Sequence, residues 1–208
     1  MISLQKNFLY VHIPKTAGNA VQNILRHYSE DKIVCVTPLQ DGVERFEVRN
    51  DQFKIEKHST LEEYRRELGE AQLARLFKFC CVRNPWERAV SFYFSPHRGP
   101  VTWDREAFIK LTEKMPPASA YVTLKNSTPK KSPFENVDFV IRFERLNDDF
   151  RQVCERIGIP AQELPVRNKS SRDHFSQYYD EELIELVRRR CSDEIDYFGY
   201  QFDPTAQS

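Results

Sequence analysis

The sequence predicts an α/β fold with a mainly parallel central sheet, and three observations carry that reading. The runs NFLYVHI (7–13), FKFCCV (77–82) and VDFVIRF (137–143) are short, apolar and rich in β-branched and aromatic residues, the pattern of strands buried on both faces. Each is followed by a stretch with helical spacing of its apolar residues. Strand alternating with helix is the order that a parallel sheet with crossover helices requires. Sites in such sheets lie beyond the carboxyl ends of the strands, so the turns after these runs carry the functional question.

Taken in order, the first run passes through a Pro-Lys-Thr-Ala-Gly turn into a helix over about 19–28, with Val21, Ile24, Leu25 and Tyr28 on one face. Residues 32–37 (KIVCVT) predict a second strand, and 38–58 a mixed region with a hairpin around Asp41-Gly42. Thr60 and Glu63 form a capping-box pattern that opens a helix with Leu61, Tyr64 and Leu68 on its apolar stripe. After the 77–82 strand, Asn84 and Pro85 read as N-cap and first helical residue of a helix reaching about Phe94. A further helix is expected over 104–113. Residues 115–136, with Pro116, Pro117, Pro129 and Pro133, predict a long surface segment. Residues 146–157 form a helix closed by Gly158, and 180–191 an amphipathic helix on Leu183, Ile184 and Val187.

The 208 residues fit one domain spanning 1–208. Hydrophobic residues make up 40%, enough for a packed core and too many for a disordered chain. Lys and Arg equal Asp and Glu at 31 each, so wholesale electrostatic capture of nucleic acid is not expected, and any bound anion must be gripped by a local cluster. The charge is nevertheless segregated, because Lys and Arg exceed Asp and Glu over 97–133 while the reverse holds over 176–203. The basic stretch is expected to face an anionic acceptor or to be a solvated loop, and the acidic one to be a solvated face. No apolar run is long enough to span a bilayer, and the first residues turn polar too soon for a signal peptide. The five cysteines include no CxxC pair, and a cytoplasmic protein with reduced, buried thiols is expected.

Two turns hold residues suited to chemistry. His12-Ile-Pro-Lys15-Thr16-Ala17-Gly18-Asn19-Ala20 runs from a strand into a helix. Amides at a new helix N-terminus can wrap a phosphate, Gly18 permits close approach, and Lys15 adds a point charge. It is not a Walker A loop, which needs Gly-Lys followed by Ser or Thr, so a metal-dependent NTPase is disfavoured and Thr16 alone keeps a small-molecule kinase in view. In the second turn, Arg83 ends a strand and Ser91 follows about two helical turns later, so both can converge on one anion.

Together, HIPKTAG and VRNPWERAVSFY resemble the phosphosulfate loop and the 3′-phosphate motif of sulfotransferases that use 3′-phosphoadenylyl sulfate (PAPS). The likeness is strongest to the carbohydrate branch that includes uronyl 2-O-sulfotransferases and short bacterial relatives. IRFERL (141–146), RNKSS (167–171), QYYD (177–180) and DEIDYFGYQF (193–202) extend it along the chain. The resemblance implies a P-loop NTPase-like three-layer αβα fold and sulfuryl transfer from PAPS to a hydroxyl, most plausibly of a carbohydrate, with no metal required. It implies that Lys15 contacts the bridging oxygen and 5′-phosphate, that the backbone of Thr16, Ala17, Gly18, Asn19 and Ala20 wraps that phosphate, and that Arg83 and Ser91 hold the 3′-phosphate. Asn19-Ala20 stands where the family more often has Thr-Ser, and Lys57 where it often has Gly.

Transfer to a hydroxyl needs a base, and imidazole suits neutral pH. His58, just before the Thr60 capping box, matches the family arrangement and is the expected base. Glu144 is the carboxylate alternative, expected more often to anchor a neighbouring Arg or amide. His12 is expected to be packed, His27 to be on the surface, and His97 and His174 to lie in loops. Arg167, Lys169, Ser170 and Arg172 form a cluster placed to close over the nucleotide. A catalytically silent nucleotide-binding module is the competing reading.

Overall fold

In a computed structural model, residues 1–35, 46–95, 101–125, 132–164 and 172–205 are described. The expected alternation is present. In chain order the elements are β1 (Ile2–Ser3), β2 (Phe8–Val11), α1 (Gly18–Leu25), β3 (Lys32–Cys35), β4 (Phe46–Arg49), α2 (Leu61–Leu68), α3 (Glu70–Arg75), β5 (Phe77–Val82) and α4 (Pro85–Tyr93). Then follow α5 (Arg105–Lys114), α6 (Ser119–Val122), β6 (Phe139–Arg142), α7 (Leu146–Ile157), α8 (Glu181–Arg190) and α9 (Ser192–Phe198).

The central sheet has the order β1-β2-β5-β6. β2, β5 and β6 are parallel, and β1 pairs antiparallel with β2. Register aligns Val11 with Cys80 and Val82 with Arg142, so the three parallel strands end at one edge. Strand alternation sends side chains to opposite faces. Phe8, Tyr10, Phe79, Cys81 and Ile141 join a core with α1 and α7, while Leu9, Val11, Cys80 and Val82 join one with α2 and the 118–137 region. A third core joins α4, α5, α8 and α9. Cys80, Cys81, Cys154 and Cys191 are free and buried.

The expected strand over 32–37 lies elsewhere than in the parallel sheet. β3 pairs antiparallel with β4 as a separate two-stranded ribbon. Phe46 and Val48 are buried while Glu47 and Arg49 are exposed, so the ribbon has one dry face and cannot sit centrally. Asp41-Gly42 lies outside the described residues. The expected surface segment 115–136 is also corrected where it is described. Met115, Ala118, Ser119, Val122, Phe134 and Asn136 are buried, and Pro133 opens a 3-10 turn (Pro133–Asn136). Pro133 starts a helical turn there instead of marking a solvated loop.

The basic stretch does not stand apart from the acidic one. Arg105 pairs with Asp180 at 2.8 Å and with Glu182 at 2.5 Å, at the N-terminus of α8. Glu194, read as part of a solvated face, is buried against Arg88.

Candidate active site

The turn after β2 is strained at two non-glycine residues. Lys15 and Ala17 have φ of 70° and 68°, a left-handed conformation that L-residues adopt at a cost. Thr16 between them holds the turn from inside, its hydroxyl donating to the Ile13 carbonyl at 2.8 Å. That hydroxyl is fully buried and is not presented to a ligand, as a metal-binding hydroxyl of a kinase would have to be. Alternating backbone handedness of this kind turns successive amides toward one concavity, an anion nest. The amides of Thr16, Ala17, Gly18 and Asn19 have no backbone partner among the described residues. Ala20 differs from expectation, because its amide donates to the Ala17 carbonyl at 2.9 Å and closes the first turn of α1.

Gly18 is required here by contact. A Cβ built on it would lie 1.8 Å from His12 Nε2, because the His12 ring packs beneath the first turn of α1. His12 is 3% exposed. Burial, with the nearby His58, Lys57 and N-terminal charges, holds its imidazole well below the usual range, so it stays neutral as a packed residue.

β5 places Arg83 at the same edge. Its Nη1 reaches the Lys15 carbonyl at 3.5 Å, its guanidinium stacks 3.8 Å from the Phe143 ring centroid, and Nη2 pairs with Glu87. The Arg83 Nε is buried without a hydrogen-bond partner. Arg172 also reaches Glu87, at 3.8 Å. Lys15 Nζ donates to the Ser95 hydroxyl at 3.3 Å. Burial, then Arg83, Arg172 and Lys57, lower Lys15 to about 8. Within α4, Ser91 follows Glu87 by one turn and so shares its face. No bond joins Ser91 to Arg83 among the described residues.

The loop before α2 brings His58 to this edge. The capping box forms as expected, with the Thr60 amide and hydroxyl both on the Glu63 carboxylate. The His58 ring is 4.4 Å from that of His12, centroid to centroid, and His58 Nδ1 lies 3.1 Å from the His12 carbonyl. A carbonyl only accepts, so Nδ1 carries the proton, and neutral His58 keeps its lone pair on Nε2. His58 is exposed.

The other described candidates take different roles. Glu144 accepts from the Asn84 amide at 2.7 Å and from the Tyr200 hydroxyl at 3.2 Å, an anchoring role. His174 caps the 3-10 turn Phe175–Tyr178, with Nδ1 2.8 Å from the Ser176 hydroxyl. His27 is exposed beyond α1. His97, Arg167, Lys169 and Ser170 lie outside the described residues.

Sequence reasoning missed Glu87, Arg88, Ser95 and Glu194. Arg88 is fully buried; its Nε donates to Pro14 and its Nη2 to Pro116, each at 3.0 Å, while Nη1 lies 3.8 Å from Glu194. Glu194 also accepts from the Ala118 amide at 2.9 Å. Arg88 thereby secures the residue before the strained turn. The one-turn spacing of Glu87 and Ser91 within α4 was a readable signal; the Arg88–Glu194 pair left none.

A family model described as "Sulfotransferase family" matches residues 1–201. The chain is similar to an uncharacterized protein of Archaeoglobus fulgidus, 30% identical over 113 residues that cover 52% of this chain and 89% of that one. No solved structure matches. Among the described residues, no helix is long and apolar enough to cross a membrane.

Proposed function

Because this chain belongs to the sulfotransferase family and so to enzymes of sulfuryl transfer, we propose that its donor is PAPS and its acceptor a hydroxyl, most plausibly of a carbohydrate. One observation carries the reading. A strained turn with unengaged amides, Lys15 and two nearly buried guanidinium groups meet at the carboxyl edge of the sheet. That donor set fits a nucleotide bearing phosphates at two positions. Lys15 and the amides of Thr16 to Asn19 would hold the 5′-phosphosulfate, and Arg83 with Ser91 the 3′-phosphate. No described cluster of His, Cys, Asp and Glu is built to hold a metal, and in this reading the cationic groups take that part.

PAPS, when bound, supplies an activated sulfuryl group on a phosphate leaving group. His58 takes the acceptor proton at Nε2, its ring held by the Nδ1–H bond to the His12 carbonyl. Lys15 and the turn amides stabilise negative charge that develops on the leaving side. The two act at opposite ends of one displacement.

The test is transfer from labelled PAPS to sugar, phenol and lipid acceptors, paired with calorimetry of 3′-phosphoadenosine 5′-phosphate and adenosine 5′-phosphate. The bisphosphate should bind more tightly, and Arg83→Ala should weaken it by about tenfold to a hundredfold, the worth of one charge-assisted bond. Equal affinities for the two nucleotides would remove Arg83 from a 3′-phosphate site.

A further inference from the structure

The group of cations at the sheet edge contains a carboxylate. Glu87 lies in the first turn of α4, with its amide held by the Asn84 side chain. Its side chain is 5% exposed, and it contacts Arg83 and Arg172, which are 11% and 9% exposed. Packing an ammonium and two guanidinium groups together out of water is unfavourable. The strain is visible in Lys15 and Arg172, whose proton affinities fall through burial first and the Arg83 charge second. A carboxylate shared by the two guanidinium groups offsets that repulsion. It does so at the Nη atoms, the donors that a phosphate oxygen would use.

We propose that Glu87 is a built-in counter-anion that holds Arg83 and Arg172 in place in the ligand-free protein and is exchanged for a phosphate-class oxyanion on binding. Its carboxylate therefore sets how strongly, and how selectively, the pocket takes anions. A dianion that bridges both guanidinium groups displaces it. A monoanion such as chloride gains too little to do so. The inference rests on the reading above, in which Arg83 holds a phosphate, and adds Arg172 beside it.

The experiment follows thermal unfolding of the whole chain against inorganic phosphate at constant ionic strength, with chloride as the matched salt. Glu87→Gln keeps the size of the side chain and removes its charge. Its ligand-free form should unfold at a lower temperature than the wild type. Its phosphate midpoint should fall about fivefold to tenfold, since phosphate no longer competes with a bonded carboxylate. Chloride should also begin to stabilise it. An unchanged or higher phosphate midpoint in Glu87→Gln, with Arg83→Ala unresponsive to phosphate, overturns the role of Glu87 and leaves the pocket standing. A phosphate response that persists in Arg83→Ala removes the pocket and Glu87's role with it. If Glu87→Gln does not fold, Glu87→Asp decides: the shorter side chain releases the guanidinium groups more readily, so a lower midpoint supports the proposal and an equal or higher one overturns it.

Discussion

Lys15 is the residue whose charge the fold resists most usefully. Its ordinary value is 10.5, and burial, then the charges of Arg83, Arg172 and Lys57, lower it to about 8. Between those values the unfolded chain binds more protons than the native one, so this residue makes stability rise with pH across that window. Below about 8 the native protein carries the full burden of a buried ammonium. Lys15→Met should therefore raise the melting temperature of the ligand-free protein near neutral pH, and the gain should shrink toward pH 10.5. A pH series of melting curves checks this. On the proposed reading the same charge grips an incoming phosphate, so phosphate-induced stabilisation of the wild type should weaken above about 8. His58 presents the complementary case. His58→Ala should lower transfer by ~10²–10⁴ while leaving phosphate binding nearly intact, the signature of a group that acts on the proton and not on the anion. Steady-state rates beside calorimetric titration separate the two effects, and full turnover in the variant would move the base elsewhere.

At the scale of elements, the site hangs on helix starts. Asn84 Oδ1 accepts from the amides of Trp86 and Glu87, and its Nδ2 donates to the Gln201 carbonyl at 3.0 Å. Asn84→Ala should cost about 0.5–2 kcal/mol from the lost cap. It should also loosen Glu87, the competitor for the guanidinium groups, and so lower the phosphate midpoint, which denaturant titration and calorimetry would report together. Caps of this kind are why much of the architecture was legible beforehand. Thr60 with Glu63, Asn84 with Pro85, and Gly158 (φ 65°) each act through neighbours in sequence, and each begins or ends its helix where the residues place it. What stayed hidden depends on distant partners. α3 is a six-residue helix set off by Gly69. The β3–β4 ribbon looks like any strand until its buried and exposed faces are seen. The pairing of His12 with His58 joins segments 46 residues apart, and nothing local announces it.

For the whole molecule, the main tie between distant parts is Arg88. It holds the carbonyls of Pro14 and Pro116 and faces Glu194 of α9, which in turn accepts the amides at Ala118 and Ser119. Burial pushes the Glu194 carboxyl above its ordinary value, and the Arg88 charge opposes that. Glu194→Ala leaves a buried guanidinium unpaired and should destabilise the protein by about 3–5 kcal/mol, read from urea midpoints at unchanged slope. The tie also fixes an order of events during synthesis. Lys15 and its strained turn leave the ribosome before α9, and the carboxylate on the far side of Arg88 is residue 194. Until α9 emerges, then, a nascent chain carries the strained turn without the brace that secures it. On the proposed reading ligand competence waits for α9, and phosphate should give arrested chains that lack α9 no added resistance to protease while protecting the released protein.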